Sequence, residues 1–285
     1  MADKQLTKIQ EIERSIIKTY RSKLWSPFIK ALKDYEMIKP NDKICVCISG
    51  GKDSMLLAKL FQELRKHSDF EFEVSYILMN PGYNEKNLNL IKKNLDILGI
   101  PAEIIDTDIF NIANNVGGKP CYLCARMRRG ALYGIAERKG CNKIALGHHL
   151  DDVIETTLMS ILNNGIVQTM LPKIHSDNFK GMELIRPLYL IREKDIKNWA
   201  KRFDLEFIRC ACRFTEMTEN DEMVSKRKET KELIHELELK NPVIIKNLFM
   251  ATSNINMDKI LGYRKGEEIH SYLETYDDIK NNDSK

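Results

Sequence analysis

Residues 49–54, Ser-Gly-Gly-Lys-Asp-Ser, follow the apolar run Ile44-Cys45-Val46-Cys47-Ile48 and lead into the helical run at 55–60. Gly50 and Gly51 let the backbone turn sharply, so that successive N–H groups and the positive end of the next helix face a polyanion. Ser49, Lys52 and Ser54 add hydroxyl and ammonium donors, and the segment reads as a pyrophosphate-binding loop. A Walker loop of form GxxxxGK followed by Ser or Thr does not fit, because Val46 stands at its first Gly and Asp53 at its Ser or Thr. That argues against an ordinary kinase or GTPase. Asp53 falls in the first helical turn, where a carboxylate either complements the helix dipole or works near Mg²⁺ and ATP.

Three further segments carry chemistry. Gly147-His148-His149-Leu150-Asp151-Asp152 is a strand end running into a helix. Acidic residues in a first turn are commonplace, but beside a phosphate loop Asp151 and Asp152 suit a hard, oxygen-seeking Mg²⁺. His148 and His149 either contact substrate or are structural. Cys121-Tyr122-Leu123-Cys124 opens a helix that also carries Arg126, Arg128 and Arg129, a setting that favours thiolates. A redox dithiol, half of a zinc site and part of an iron–sulfur site all fit that pair, and no second CxxC completes a four-cysteine zinc site. Cys210-Ala211-Cys212 can supply one or two more thiolates. Three cysteines around a [4Fe-4S] cluster leave one iron without a protein ligand, a place to bind and deliver sulfur.

The remaining cysteines read differently. Cys45 and Cys47 lie on a strand expected to be buried on both faces and are taken as small core hydrophobes. Cys141 follows a helix, with no partner nearby and no assigned role. Seven cysteines, an odd number, do not suggest a disulfide framework in a reducing compartment.

The elements that must position these groups follow from periodicity. Helical spacing at 5–38, broken near Ser26-Pro27, gives a helical lead-in. Strands at 43–48, 72–79, 102–106 and 143–147 alternate with helices at 54–66, 85–98, 122–138 and 151–163. This predicts an α/β fold, a doubly wound parallel sheet with ligands beyond the carboxyl ends of its strands. The segment Leu184-Ile185-Arg186-Pro187-Leu188, a helix at 193–202, a short strand at 206–208 and helices at 219–239 and 242–255 complete the pattern. The expected division is a helical N-terminal segment at 1–40, a catalytic domain at 41–215, a small helical domain at 216–258 and a polar tail at 259–285, fraying from Glu267.

At 285 residues and 43% hydrophobic, the chain can bury a sizeable core. No run approaches the roughly 20 apolar residues of a membrane span, and the N-terminus lacks signal-peptide organisation, which predicts a cytoplasmic protein without membrane contact. A net charge of +4 does not by itself prove nucleic-acid binding. Positive charge gathers at Arg126, Arg128 and Arg129 and again at Lys226, Arg227 and Lys228, each cluster equally readable as a solvated helix face.

Taken together, residues 49–54, Cys121-Tyr122-Leu123-Cys124-Ala125-Arg126-Met127-Arg128-Arg129-Gly130, Ala145-Leu146-Gly147-His148-His149-Leu150-Asp151-Asp152, Ile185-Arg186-Pro187-Leu188 and Arg192-Glu193-Lys194-Asp195-Ile196 resemble the tRNA 2-thiocytidine synthetase family of the PP-loop ATP pyrophosphatases. The resemblance spans about residues 37–214. It implies an adenine nucleotide alpha hydrolase-like fold and an enzyme that adenylates a tRNA pyrimidine carbonyl, cytidine 32 in this family, and replaces its oxygen with sulfur. It implies ATP, Mg²⁺ and a [4Fe-4S] cluster as cofactors. The partners it implies are tRNA, a sulfur donor (a cysteine desulfurase or free sulfide) and a second copy of the chain.

By the same resemblance Cys121, Cys124 and Cys212 hold the cluster, with Cys210 the alternate third ligand, because the family has CxxC where this chain has CxC. Lys52, Asp53 and Asp152 are catalytic. The nucleotide is held by Ser49, Gly50, Gly51, Lys52, Asp53, Ser54, Gly147, His148, Asp151 and Arg129. The alternative is a PP-loop enzyme that thiolates or amidates another tRNA base or a small molecule.

Overall fold

The computed structural model describes residues 6–115, 120–208 and 222–276. It separates into two compact units, Met1–Leu233 and Ile234–Lys285. In the first, helix α1 (Lys8–Ile17) opens on a capping box: the Thr7 hydroxyl accepts from Gln10 N and the Gln10 side chain accepts from Thr7 N. A π-helical turn at Arg21–Trp25 then runs directly into α2 (Ser26–Asp34). Ser26-Pro27 therefore starts a helix instead of breaking one, since a proline in a first turn gives up no intrahelical hydrogen bond.

Strand β1 (Lys43–Ile48) is buried along its apolar length, as a central parallel strand requires. It is followed by α3 (Lys52–His67), β2 (Glu73–Asn80), α4 (Glu85–Leu98), β3 (Glu103–Asp106), α5 (Ile109–Asn115), α6 (Pro120–Arg138), β4 (Lys143–Ala145), α7 (Leu150–Asn164), β5 (Lys173–His175), β6 (Glu183–Ile185) and α8 (Glu193–Arg202). The strand order is β3-β2-β1-β4-β6-β5. All neighbours are parallel except β5, which pairs antiparallel with β6 at the edge. The chain runs outward from β1 through β2 to β3 and then crosses back to β4 on the other side of β1. That makes the carboxyl ends of β1 and β4 the switch point, where side loops diverge and leave a crevice.

Two expectations about local structure are corrected. Residues 206–208 form no strand: the Asn94 amide donates to Glu206 O at 2.6 Å and Leu205 N bonds Ala200 O, so these backbone groups are satisfied by neighbouring helices. The edge strand β5 went unforeseen because Lys173 and His175 are polar and Ile174 is largely exposed, leaving no apolar alternation to read.

Helix α9 (Glu222–Lys240) carries the chain from the first unit into the second. The second unit continues with α10 (Ile244–Ala251) and a hairpin of β7 (Gly262–Lys265) and β8 (Glu268–Ser271). The expected fraying from Glu267 does not hold through β8. Tyr263 and His270 stack across the two strands, with ring centroids 4.5 Å apart, and Gly266 supplies the positive φ of the turn.

Candidate active site

The loop after β1 is shaped by its own hydroxyls. Ser54 Oγ accepts from Ser49 N at 3.1 Å and donates to Gly51 O at 3.0 Å, and Ser49 Oγ donates to Ser54 Oγ at 3.1 Å. Tyr83 donates its hydroxyl to Ser49 O at 3.2 Å. Ser49 and Ser54 thus brace the turn. Gly50 has φ +82°, and a Cβ there would lie 2.6 Å from Ile91 Cδ1 and 2.9 Å from Ile208 Cδ1, so only glycine fits. Gly51 caps α3 without a side-chain acceptor, which leaves the first N–H groups of a 16-residue helix facing the crevice.

Lys52 Nζ lies 3.1 Å from Asp53 Oδ2 and 3.0 Å from Glu193 Oε1. Burial opposes its charge, but the two carboxylates outweigh it and hold its pKa above the ordinary lysine range. Asp53 Oδ1 is buried with no hydrogen-bond partner, its contact with His149 Nε2 being 3.8 Å long. A buried carboxylate oxygen left unsatisfied is costly unless something else is to occupy it.

At the end of β4, Gly147 brings the chain against the start of α3: a Cβ would lie 3.0 Å from Ser54 N and 3.1 Å from Asp53 C. His149 caps α7. Its ring accepts from Asp152 N at 3.3 Å, while Asp152 Oδ2 accepts from His149 N at 2.9 Å. His149 is therefore a positioning group. His148 points differently: its Nδ1 is buried without a partner, and burial, reinforced by Arg186 and Arg227, pushes its pKa down to about 4. The imidazole is neutral at working pH.

The paired carboxylates are already engaged. Arg192 grips Asp151 through Nε at 3.0 Å and Nη2 at 3.0 Å, and Glu193 N donates to Asp151 Oδ2 at 2.6 Å. Asp152 Oδ1 accepts from Arg227 Nη2 at 2.5 Å. Asp151 thus ties the start of α7 to the start of α8, and Asp152 ties it to α9. Among the described residues, the buried site carboxylate oxygen left without a hydrogen bond belongs to Asp53 instead.

Three groups that matter here were given no individual role from sequence, although Arg186 and Glu193 lie in the quoted family motifs and Arg227 in a noted basic run. Glu193 faces Lys52 and also lies 2.9 Å from Lys197 and 2.8 Å from Lys231. Burial works against its charge, yet these lysines hold its carboxyl far below the usual range. Arg227 spans Asp152 and Glu155. The basic run at 226–228 was the visible signal for it, equally consistent with a solvated face. Arg186 has a buried Nε without a partner, and burial lowers its pKa. Arg129 is exposed and lies electrostatically close to Arg186 and Tyr133.

On the sulfur side, helix α6 starts on the same carboxyl edge, as a crossover helix returning antiparallel to its strands must. The backbone of Cys121 lies in its first turn, and Cys124, half-buried, packs against the core cluster that includes Cys47, Tyr133 and Ile135. The Cys121 side chain and both Cys210 and Cys212 lie outside the described residues. Cys45 and Cys47 are buried core groups, as expected. Cys141 is not alone: it shares a buried core cluster with Cys45, and the two thiols influence one another's titration. The Cys45 thiol and burial push the Cys141 thiol up. For Cys45 the contact with Cys141 lowers the pKa, but Cys47 and burial prevail and keep the thiol protonated.

A glycine turn at the switch point of a parallel sheet, with a lysine and a helix N-terminus facing the crevice, defines a PP-loop nucleotide-binding fold, and the PP-loop domain model matches residues 20–212. The chain is 38% identical over 240 residues to the tRNA-cytidine(32) 2-sulfurtransferase of Coxiella burnetii, covering 82% of this chain and 90% of that protein. The enzyme of the same name from Legionella pneumophila is 38% identical over 238 residues, 81% of each. The chain belongs to the tRNA-cytidine(32) 2-sulfurtransferase family. In fold it resembles the U34-tRNA thiolase NcsA of Methanococcus maripaludis, solved with its [4Fe-4S] cluster, with a TM-score of 0.61 at 23% identity over 81% of this chain and 79% of that one. Among the described residues, no helix is long and apolar enough to cross a membrane.

Proposed function

We propose that the protein is an ATP-dependent tRNA sulfurtransferase that exchanges the C2 oxygen of cytidine 32 for sulfur. The observation that carries this reading is Lys52 beside a buried Asp53 oxygen that accepts no hydrogen bond, at the switch point, on the edge where the cysteine-bearing helix α6 begins. A pyrimidine carbonyl oxygen is a poor leaving group until it is adenylated. The loop N–H groups and Lys52 take the β- and γ-phosphates while the carbonyl oxygen attacks the α-phosphorus, and the bond to pyrophosphate breaks. Sulfide then attacks C2, the C–O bond breaks and AMP leaves.

Asp53 Oδ1 is the oxygen best placed to approach Mg²⁺, directly or through water, and its lack of a hydrogen bond fits that role. Asp151 and Asp152 serve this chemistry by fixing α7, α8 and α9 around the crevice. Thiolates at the start of α6 fit a soft metal, and a [4Fe-4S] cluster held by Cys121, Cys124 and Cys212, with Cys210 the alternate, would supply an iron position open to sulfide. Arg129, exposed and electrostatically close to Arg186, is proposed to meet phosphates of the RNA, so tRNA affinity is expected to fall with salt. We also propose a homodimer acting in the cytoplasm, a catalytic domain at 41–215, and sulfide supplied by a cysteine desulfurase or taken up free.

Mass spectrometry of tRNA nucleosides tests the reading. Cells lacking the gene should lose 2-thiocytidine, and the wild-type gene should restore it where Cys124→Ala does not. Unchanged 2-thiocytidine in the deletion strain would overturn it.

A further inference from the structure

The basic face of α9 reaches the lysine of the glycine loop through Glu193, and the proposed chemistry gives Lys231 no part. Arg227 and Lys231 stand one turn apart on the same face. Arg227 reaches Asp152 Oδ1 at 2.5 Å and Glu155 Oε2 at 2.9 Å. Lys231 reaches Glu193 Oε2 at 2.8 Å and Glu155 Oε1 at 3.7 Å. Glu193 in turn holds Lys52 at 3.0 Å through its other oxygen. An anion at this point is unexpected, because a carboxylate beside the lysine of a phosphate loop competes with the phosphate for that lysine and repels it once bound.

We propose that Lys231 is a positioning residue for ATP: Glu193 holds Lys52 over the empty loop, and when the phosphates take Lys52, Lys231 and Lys197 retain the released carboxylate and neutralise it. Arg227 fixes α9 for this task by clamping α7. The Glu193 side chain is only 13% exposed, so water screens its charge weakly and the neighbouring ammonium groups must do so instead. The division of its oxygens suits the exchange, since Oε1 faces Lys52 while Oε2 already accepts from Lys197 and Lys231. The carboxylate can therefore give up one partner without losing the others.

This inference rests on the loop being an ATP site, and the test separates the two. The full-length protein is titrated calorimetrically with α,β-methylene-ATP and Mg²⁺. Lys231→Met is expected to weaken binding about tenfold, and Lys231→Arg to bind as the wild type does. Adding Glu193→Gln to Lys231→Met should recover most of the loss, because the uncompensated anion is gone. A purely structural lysine would give no such recovery. Should Lys231→Met fail to fold, Glu193→Gln alone carries the test and is expected to bind the analogue at least as tightly as the wild type. Unaltered binding by Lys231→Met, a double variant no better than the single, or weakened binding by Glu193→Gln overturns the inference. A wild type that does not bind the analogue overturns the ATP-site reading itself and the inference with it.

Discussion

The two ends of the central sheet bury charge in opposite ways. At the amino end, Lys143 pairs with Glu183 and lies 3.6 Å from Asp42, whose oxygens also accept from Asn142 Nδ2 at 2.7 Å and Lys39 N at 2.6 Å. Asn142 Oδ1 accepts from Lys43 N. None of these groups has a buried polar atom without a partner. At the carboxyl end the groups are less enclosed, Lys52 and Asp53 being about a quarter exposed, and Asp53 Oδ1, His148 Nδ1 and Arg186 Nε are buried atoms without a hydrogen bond. A network complete in itself joins strands; one with atoms left over is arranged for something that arrives later.

The largest expected effect tests the amino end. Lys143→Met leaves Asp42 and Glu183 buried without their cation and should cost about 3–5 kcal/mol in urea unfolding, with activity per folded molecule preserved. A similar loss of specific activity would erase the distinction. At the carboxyl end the pattern should reverse. Lys52→Met is expected to slow pyrophosphate release about 10²- to 10³-fold. Its melting temperature should fall less than that of Lys143→Met, because Glu193 keeps Lys197 and Lys231 and the Asp53 side chain, which loses its cation, is about a quarter exposed.

Acid sharpens the comparison with a smaller effect. The folded pKa of His148, about 4, lies below its ordinary 6.5, so its contribution is complete above pH 6.5 and declines as pH falls towards 4. Burial opposes the charge of Glu183, but Lys143 holds its pKa below the ordinary carboxylate value of 4.5, so its contribution declines only at lower pH. Between those ranges the carboxyl end should weaken first, by on the order of 2 kcal/mol. Comparing pH–stability profiles of the wild type and His148→Gln measures it, and superimposable profiles would refute the assignment.

Much of this was legible in the chain. The apolar run of β1 and the glycines after it gave strand, turn and helix, and therefore the phosphate loop, because those features depend on local sterics and periodicity. The βα alternation gave the parallel sheet. The strand expected at 206–208 was misread because a short apolar run does not say whether its backbone will bond a neighbouring strand or, as here, helix-borne groups. Sequence shows the two carboxylates Asp151 and Asp152 beside the phosphate loop but not the arginines that reach them from residues 192 and 227.

By itself, then, the sequence determined where the chain turns, which segments are apolar enough to form the sheet, and which family of chemistry its motifs serve. Only the folded molecule decided which groups answer one another: that Lys52 and Lys231 meet at Glu193, that Cys141 joins Cys45 in the core, and that one buried Asp53 oxygen accepts no hydrogen bond. The reason is range. Turns and helix caps are set by neighbours a few residues away, whereas charge pairing is set by distances of about 3 Å between groups that stand far apart along the chain.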